Sequence, residues 1–177
     1  MSRYAVGDIH GCLKTLKSLL FDVIKIKKYD TIYFLGDYID RGPRIKETID
    51  FFLDYLNKGW DFRFLMGNHE YMMINENNMY DLWIEYHGKS TLDSFKIKHY
   101  NQLEPKYKQF FENLNYFFKL EKFILVHASI NTNAIFPLTN YEEMIWSRNY
   151  DIDISRIGNR RLIVGHSPTQ INDIKSS

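Results

Sequence analysis

Glycine-flanked polar blocks carry most of the side chains in this sequence that could do chemistry. They read GDIHG at 7–11, GDYIDRG at 36–42, GNHE at 67–70, VHAS at 126–129 and GHSP at 165–168. Four of the six histidines of the chain lie in these blocks. Any one block alone has an ordinary explanation, because Asp and Gly are common turn residues and single histidines are often buried structural groups. Five such blocks in one chain instead indicate a shared site.

The first three blocks each follow a short apolar run that is typical of a buried strand. These runs lie at residues 3–6, 31–35 and 62–66, and apolar residues at helical spacing fill residues 11–25 and 45–56 between them. Strands that alternate with helices predict parallel βαβ units, in which functional loops lie at the carboxyl ends of the strands. The polar blocks occupy those ends, so we expect them to meet at one edge of a sheet.

The remainder of the chain predicts a helical insert and a second group of strands. Residues 71–114 are mainly helical in pattern, 116–120 and 122–126 form a predicted hairpin, and a short helix is expected at 141–146. A last apolar run at 161–164 leads into the fifth block. At 177 residues without repeats or linkers, the chain is expected to form one α/β domain over 1–177, with the insert as a cap.

Convergence of the strand ends would gather a set of oxygen and nitrogen donors without thiolate. The set is Asp8, His10, Asp37, Asn68, His127 and His166. These donors suit Mn, Fe or Zn better than Ca or Mg alone. Six are too many for one open tetrahedral ion, but they suit two ions about 3.5 to 4 Å apart with one bridging carboxylate. Asp37 is the expected bridge.

The charge of such a site predicts its ligand. Two divalent ions with two aspartates would leave about +2, which attracts a phosphate dianion. Water held between the ions would lose a proton near neutral pH, since coordination lowers its pKa from 15.7 to about 7. The sequence therefore predicts phosphoester hydrolysis by a metal-bound hydroxide.

Composition excludes several other classes of function. A formal charge of +1 gives no overall attraction to nucleic acid or to an anionic membrane. No apolar run approaches the roughly 20 residues needed to cross a bilayer, and the amino terminus lacks a signal-peptide core. One cysteine, Cys12, excludes an internal disulfide framework and suits a reducing compartment. We expect a cytoplasmic protein without nucleic-acid or membrane partners.

The ordered blocks resemble those of the calcineurin-like metallophosphoesterases, and within them the phosphoprotein phosphatase family in its small bacterial and phage form. That family carries GDxHG, GDxxDRG, GNHE, a later His and GH, and the likeness here extends over residues 3–168. The resemblance implies a metallophosphatase α/β/β/α sandwich with two central mixed sheets flanked by helices.

The resemblance also implies a role for each matching residue. Asp8, His10 and Asp37 would bind the first ion, and the second ion would bind Asp37, Asn68, His127 and His166. His69 would be the general acid for the leaving oxygen, with Asp40 holding its ring. Arg41 and Arg148 would bind phosphate oxygens, a task that suits the planar guanidinium.

The resemblance predicts a serine/threonine protein phosphatase that uses two divalent ions, Mn²⁺ first, with Fe or Zn as alternatives. The expected substrate is a phosphorylated protein or a small phosphate ester. One alternative is a symmetrical diadenosine tetraphosphate hydrolase of the same superfamily, and another is a non-catalytic phosphate-binding or interaction module.

The sequence departs from the family at two points. Met66 stands before GNHE, where an arginine is usual. Nine residues follow Pro168, whereas relatives continue for several dozen. On that basis we expect the second sheet to lack carboxyl-terminal edge strands, which would leave an exposed edge able to pair with another chain.

Overall fold

The amino-terminal half of the molecule is organised around a parallel sheet of three strands. A computed structural model describes residues 1–168. The strands are β1 (Arg3–Val6), β2 (Thr31–Phe34) and β3 (Asp61–Phe64), in the order β1-β2-β3. All pairs are parallel because a helical crossover separates each strand from the next. The polar blocks after β1, β2 and β3 therefore lie at one edge of the sheet, as the sequence predicts.

The two crossovers differ in regularity. The first begins as helix α1 (Leu13–Lys17) and continues as a π-helical segment, Ser18–Val23, in which Ile24 N–H donates to the carbonyl of Leu19. The sequence predicts one continuous helix over 11–25, so the change in hydrogen bonding at Ser18 is a difference from that expectation. The second crossover, α2 (Ile45–Asn57), matches the predicted 45–56 closely.

Helix α2 packs its apolar face on the first sheet. Ile45, Ile49 and Phe52 are fully buried at the spacing of successive helical turns. The Phe52 ring lies 4.8 Å from the ring of Phe34 on β2 and 4.8 Å from that of Phe64 on β3. Aromatic packing of this kind fixes the height of α2 over the strand ends that carry the polar blocks.

Four helices and a short turn lie between the two sheets in sequence. They are α3 (Asn68–Ile74), α4 (Glu76–Glu85), α5 (Gly88–Phe95), the 3-10 turn Tyr100–Gln102 and α6 (Pro105–Glu112). Pro105 begins α6, where its missing N–H costs nothing. These helices occupy the predicted insert at about 71–114, and the organisation of 1–177 as one domain stays a prediction.

A second three-stranded sheet follows the helices. Its strands are β4 (Phe117–Lys119), β5 (Phe123–Val126) and β6 (Arg161–Ile163), with β4-β5 antiparallel and β5-β6 parallel. Helix α7 (Tyr141–Trp146) and the 3-10 turn Ile154–Ile157 connect β5 to β6. Within residues 1–168 this sheet has three strands. The expectation about strands after the last block concerns residues 169–177, which lie outside the described part of the chain.

The two sheets pack face to face. Tyr33 and Leu35, from the β2 end, meet Leu125 and the partly buried Phe118 of the second sheet. Helix α7 covers the outer face of the second sheet through buried Met144, while α2 covers that of the first. The predicted helix-sheet-sheet-helix sandwich is confirmed. Of the two described sheets the second is mixed and the first is parallel throughout. None of the helices within 1–168 combines the length and apolar character needed to span a bilayer.

Candidate dinuclear metal site

The polar blocks adopt a strained backbone where they meet. Positive φ angles are rare for residues with a side chain and concentrate at functional sites. Several of the predicted site residues have them, between +44° and +67°: His10, Asp37, Asp40, Arg41 and His166. Left-handed conformations let the chain turn at once from the strand end and direct these side chains into a common space.

Two glycines make room for the central carboxylate. A Cβ on Gly67 would lie 2.2 Å from Asp37 Oδ1, so no larger residue fits there. Gly36 has φ +106°, and a Cβ there would lie 2.7 Å from His127 Nδ1. The glycines of GDYIDRG and GNHE thus allow the loops after β2 and β3 to approach within van der Waals distance.

Asp37 lies at the centre of the site, between two groups of donors. Its Oδ2 lies 3.6 Å from His10 Nε2, and its Oδ1 lies 3.5 Å from His127 Nε2. The side chain is almost completely buried. Burial raises the pKa of Asp37, and the neighbouring histidines His127 and His69 oppose that rise. The two oxygens of one carboxylate therefore face two different clusters.

The second cluster brings together two imidazole nitrogens and an amide oxygen. His127 Nδ1 lies 2.7 Å from the Leu35 carbonyl, so it carries the proton and Nε2 is left as an acceptor. That Nε2 lies 3.1 Å from Asn68 Oδ1 and 3.1 Å from His166 Nδ1, which are themselves 3.1 Å apart. An oriented amide oxygen and a free imidazole nitrogen facing one another are typical of a cation site.

The first cluster shows the same tautomer at His10. Its Nδ1 lies 2.7 Å from the Ile39 carbonyl, which leaves the Nε2 lone pair facing Asp37. Arg41 Nη1–H donates to that Nε2 at 2.9 Å, so a cationic group already stands where the lone pair points. Burial lowers the pKa of His10 to about 4. Burial and then the charge of His127 lower the pKa of His166 to about 4. Both rings are thus neutral at pH 7, the form that binds metals.

These observations fit a pair of divalent ions. The site contains two groups of three ligand atoms, and within each group the atoms lie within 4.8 Å of one another. Asp37 belongs to both groups. The groups are His10, Asp37 and His69, and Asp37, His127 and His166. Nitrogen and oxygen donors without sulfur match the ion types predicted from the sequence.

His69 and Asp40 form a buried hydrogen-bonded pair beside the first cluster. His69 Nδ1 lies 2.6 Å from Asp40 Oδ2, and its Nε2 accepts a hydrogen bond from Arg41 Nη2 at 3.2 Å. Burial acts to lower the pKa of His69, but the hydrogen bond to Asp40 and the charge of Asp37 outweigh it, so the pKa is raised. The pairing of His69 with Asp40 expected from the resemblance is present in the structure.

Asp8 and Arg148 lie at the edge of the site. Asp8 is exposed, and its Oδ1 accepts a hydrogen bond from the backbone N–H of His166 at 2.9 Å. Arg148 lines a cavity of about 240 Å³ over the clusters. The other lining residues are Asp37, Arg41, Asn68, His69, Tyr86, Trp146 and His166. The structure thus brings all ten predicted site residues to one face of the sandwich, with Asp8 the most exposed of the ligand set.

Glu70 is a site residue that sequence reasoning missed. Its carboxylate accepts hydrogen bonds from the backbone N–H groups of Asp37, Tyr38, Ile39 and Gly67, at 2.8 to 3.2 Å. Burial, followed by the charge of Asp37, raises its pKa to about 7. A glutamate that ends a block of otherwise functional residues was a usable signal, because a buried carboxylate needs several donors.

Met66 occupies the position before GNHE, where the family usually has an arginine. Its side chain is buried in the core between the first sheet and the helices. Its backbone N–H donates to the Asn115 carbonyl at 2.7 Å. The position serves packing in this chain and contributes no charge to the cavity.

The fold and the paired donor clusters are those expected of a metallophosphoesterase sandwich. A profile of the calcineurin-like phosphoesterases matches residues 1–174, and the chain belongs to that family. Membership of the phosphoprotein phosphatase branch is not confirmed by the similarities found.

The chain is also similar to curated proteins that are named for a different activity. The chain is 36% identical over 74 residues to the symmetrical bis(5'-nucleosyl)-tetraphosphatase of Hamiltonella defensa, a stretch that is 42% of this chain and 26% of that protein. It therefore spans about a quarter of the length of this curated relative.

Solved structures share the fold at low identity. A putative diadenosine tetraphosphatase superposes with a TM-score of 0.62 at 17% identity, over 85% of this chain and 60% of the other. A cold-active protein-tyrosine phosphatase of a Shewanella species gives 0.67 at 16%, over 94% and 67%. These likenesses establish the sandwich and leave the substrate open.

Proposed function

We propose that this protein is a hydrolase of phosphate esters or anhydrides that uses two divalent ions. The observation that carries the proposal is the placement of Asp37, whose two oxygens face two clusters of nitrogen and oxygen donors. One ion would bind Asp8, His10 and Asp37, the set that the motif resemblance implies. The other ion would bind Asp37, Asn68, His127 and His166.

Ions bound there would supply Lewis acidity toward phosphoryl oxygens and would bring the pKa of water close to neutrality. The residues of the chain supply the rest. Arg41 and Arg148 border the cavity and would bind the phosphoryl oxygens, which stabilises the charge of the transition state. As water attacks phosphorus it gives up a proton to solvent and a new P–O bond forms. The opposite P–O bond breaks, and the departing oxygen takes the Nε2 proton of the His69 imidazolium.

We propose a symmetrical dinucleoside tetraphosphate as the substrate, in place of the phosphoprotein expected from the motif resemblance. The support is the 36% identity with a symmetrical tetraphosphatase over 42% of the chain. Two arginines at the cavity also suit a polyphosphate, because each guanidinium can bind two oxygens.

The nature of the ions and the place of action belong to the same proposal. Manganese is the first candidate, because the donors combine imidazole with carboxylate and amide oxygen. Zinc and iron are the alternatives. The single thiol of Cys12 supports a reducing compartment, and the cytoplasm stays a prediction.

The test compares substrates on protein that has been stripped of metal. Protein treated with a chelator should be inactive, and Mn²⁺ should restore hydrolysis of diadenosine tetraphosphate to two molecules of ADP. Products are separated by ion-exchange chromatography, and a phosphothreonine peptide is assayed in parallel. Full activity without metal would contradict the metal mechanism. Faster turnover of the peptide would return the assignment to a protein phosphatase, and bound metal without turnover of either substrate would indicate a binding module.

A further inference from the structure

Two side chains of the helical insert hold Asp40, and no sequence pattern singles them out. Thr91 Oγ1 donates to Asp40 Oδ1 at 2.5 Å, and Trp83 Nε1–H donates to Asp40 Oδ2 at 3.0 Å. The same Oδ2 lies 2.6 Å from His69 Nδ1. All four side chains are buried, at 1% exposure or less.

The direction of the Thr91 hydrogen bond is fixed by its surroundings. The backbone N–H of Asp40 donates to Thr91 Oγ1 at 3.0 Å, so the hydroxyl proton is free to point to the Asp40 carboxylate. One hydroxyl therefore binds both the backbone and the side chain of Asp40. Since Asp40 has φ +64°, these contacts also hold a backbone conformation that an aspartate rarely adopts.

The indole of Trp83 is held in turn by the next helix. A Cβ on Gly88 would lie 2.6 Å from three atoms of the ring, so the first residue of α5 lies directly against it. Helix α4 provides Trp83, and α5 provides both Gly88 and Thr91. The two helices together determine the orientation of the Asp40 carboxylate.

We propose that Trp83 and Thr91 are positioning residues for proton delivery by His69. The proposal deepens the proposed function and rests on it, because His69 acts there as the general acid. Three donors on one carboxylate prevent its rotation, and the fixed carboxylate sets the angle of the His69 ring, whose own torsion is broad. The helical insert thereby takes part in catalysis in addition to bordering the cavity.

The first test is the dependence of rate on the leaving group. In Thr91→Val and Trp83→Phe, kcat for phenyl phosphate should fall about tenfold to hundredfold, since misplaced catalytic groups cost about that much. Activity on 4-nitrophenyl phosphate, whose leaving group needs little protonation, should fall less than about threefold. KM should stay unchanged for both substrates, and Thr91→Ser should restore most of the loss.

Matched controls lie on the same elements or have the same chemistry. Ser94→Ala removes a hydroxyl of α5 that accepts the Lys46 backbone N–H at 3.0 Å, away from Asp40. Trp60→Phe removes an indole N–H from the packing beside Phe62. Both should leave the ratio of the two substrates unchanged. An equal loss on both substrates in Thr91→Val would contradict the proposal.

A double variant asks whether Thr91 acts through His69. In the background of His69→Asn, adding Thr91→Val should cause no further loss on phenyl phosphate, because residues that act through one group are not additive. Additive losses would show that Thr91 acts independently of His69.

A measurement without turnover separates this proposal from the proposed function. Proton NMR of the metal-free protein should show a downfield signal for His69 Nδ1–H, assigned by its loss in His69→Asn. The signal should shift or broaden in Thr91→Val and Trp83→Phe and persist in the two control variants. If the protein hydrolyses no aryl phosphate but gives this NMR pattern, the proposed function is wrong, and the positioning of His69 by Trp83 and Thr91 still holds. An unchanged signal in both variants, or its absence from the unvaried protein, would overturn the positioning.

Discussion

The loops of the first sheet and those of the second build their parts of the site differently. On the first-sheet side, Asp37, Asp40 and Glu70 are buried at 2% exposure or less and are held by many hydrogen bonds. On the second-sheet side, His166 is only partly buried, and its backbone is held by the exposed Asp8. One side is organised by contacts within the protein, and the other is more exposed.

His127 shows that the division between tightly held and exposed donors does not simply follow the two sheets. It comes from the loop after β5, yet its Nδ1 hydrogen-bonds to the Leu35 carbonyl at the end of β2, and the ring is fully buried. It is therefore fixed by the first sheet. The difference teaches that contacts within the protein hold most of the donors, whereas Asp8 and His166 are the more exposed ones.

The largest effect is expected for Asp37→Asn, because Asp37 faces both clusters. The amide has no negative charge to share between two cations, so binding should fall from two ions to one or none. Activity should fall about 1,000-fold or more, as for removal of a group that acts only when charged. Isothermal titration with Mn²⁺ gives the stoichiometry, and a steady-state assay gives the activity.

Asp30→Asn is the matched control for that substitution. Asp30 is also buried, at 4% exposure, and accepts hydrogen bonds from the backbone N–H groups of Ser2 and Lys27, away from the site. It should keep two ions and full activity per folded molecule. Loss of ions in both variants would mean that Asp37→Asn acts through the fold.

The buried and the exposed parts of the site should also differ in how much they stabilise the fold when no metal is bound. Glu70→Ala would leave four backbone N–H groups of the first-sheet loops without their acceptor, and the free energy of unfolding should fall by about 3 kcal/mol. Asp8→Ala, in the loop after β1, removes an exposed carboxylate that accepts the backbone N–H of His166 on the second-sheet side. It should lower the free energy of unfolding by less than about 0.5 kcal/mol, as is usual for an exposed residue. Urea unfolding of both metal-free variants gives the values, and equal losses would remove the distinction between the two sides.

Much of the fold could be predicted because its signals are local. The bounds predicted for β1 and α7 match the structure, and the parallel rule placed the first three blocks at one edge before any contact was known. The gathering of the five blocks could also be predicted, because each of them follows a predicted strand; the role of their side chains as metal ligands stays a prediction.

The contacts that hold the site could not be predicted from local signals. Trp83 and Thr91 reach Asp40 from 43 and 51 positions away, and their spacing on α4 and α5 is that of ordinary core residues. The same limit applies to the π-helical Ser18–Val23, whose apolar pattern fits an α-helix equally well. Local periodicity fixes which residues are buried, but the partner across a helix interface depends on the packed structure.

A smaller effect is expected for His166→Asn, which tests the loosely held side. Only the second cluster includes His166, so one of two ions should bind about 10- to 100-fold more weakly and the other should be unaffected. Unfolding of the metal-free protein should be unchanged. Competition titration with a chromogenic chelator separates the two affinities, with the exposed His99→Asn as the control. Weakening of both ions would show that the two clusters are more tightly coupled than the geometry implies.

The smallest effect is expected for substitutions of Arg41 and Arg148, which should differ in how much they weaken phosphate binding. Arg41 spans His10 and His69 with its two terminal nitrogens, at 2.9 and 3.2 Å, and a lysine cannot make both contacts. Arg148→Lys keeps a charge at the edge of the cavity, so inhibition by inorganic phosphate should weaken about threefold, and Arg41→Lys should weaken it about tenfold. Inhibition constants for phosphate at fixed Mn²⁺ give both values. Arg156 donates to the Ala134 carbonyl away from the cavity, so Arg156→Lys should leave the inhibition constant unchanged. If Arg148→Lys has the larger effect, phosphate is held mainly by the second-sheet side, and the side organised by the protein serves the metals alone.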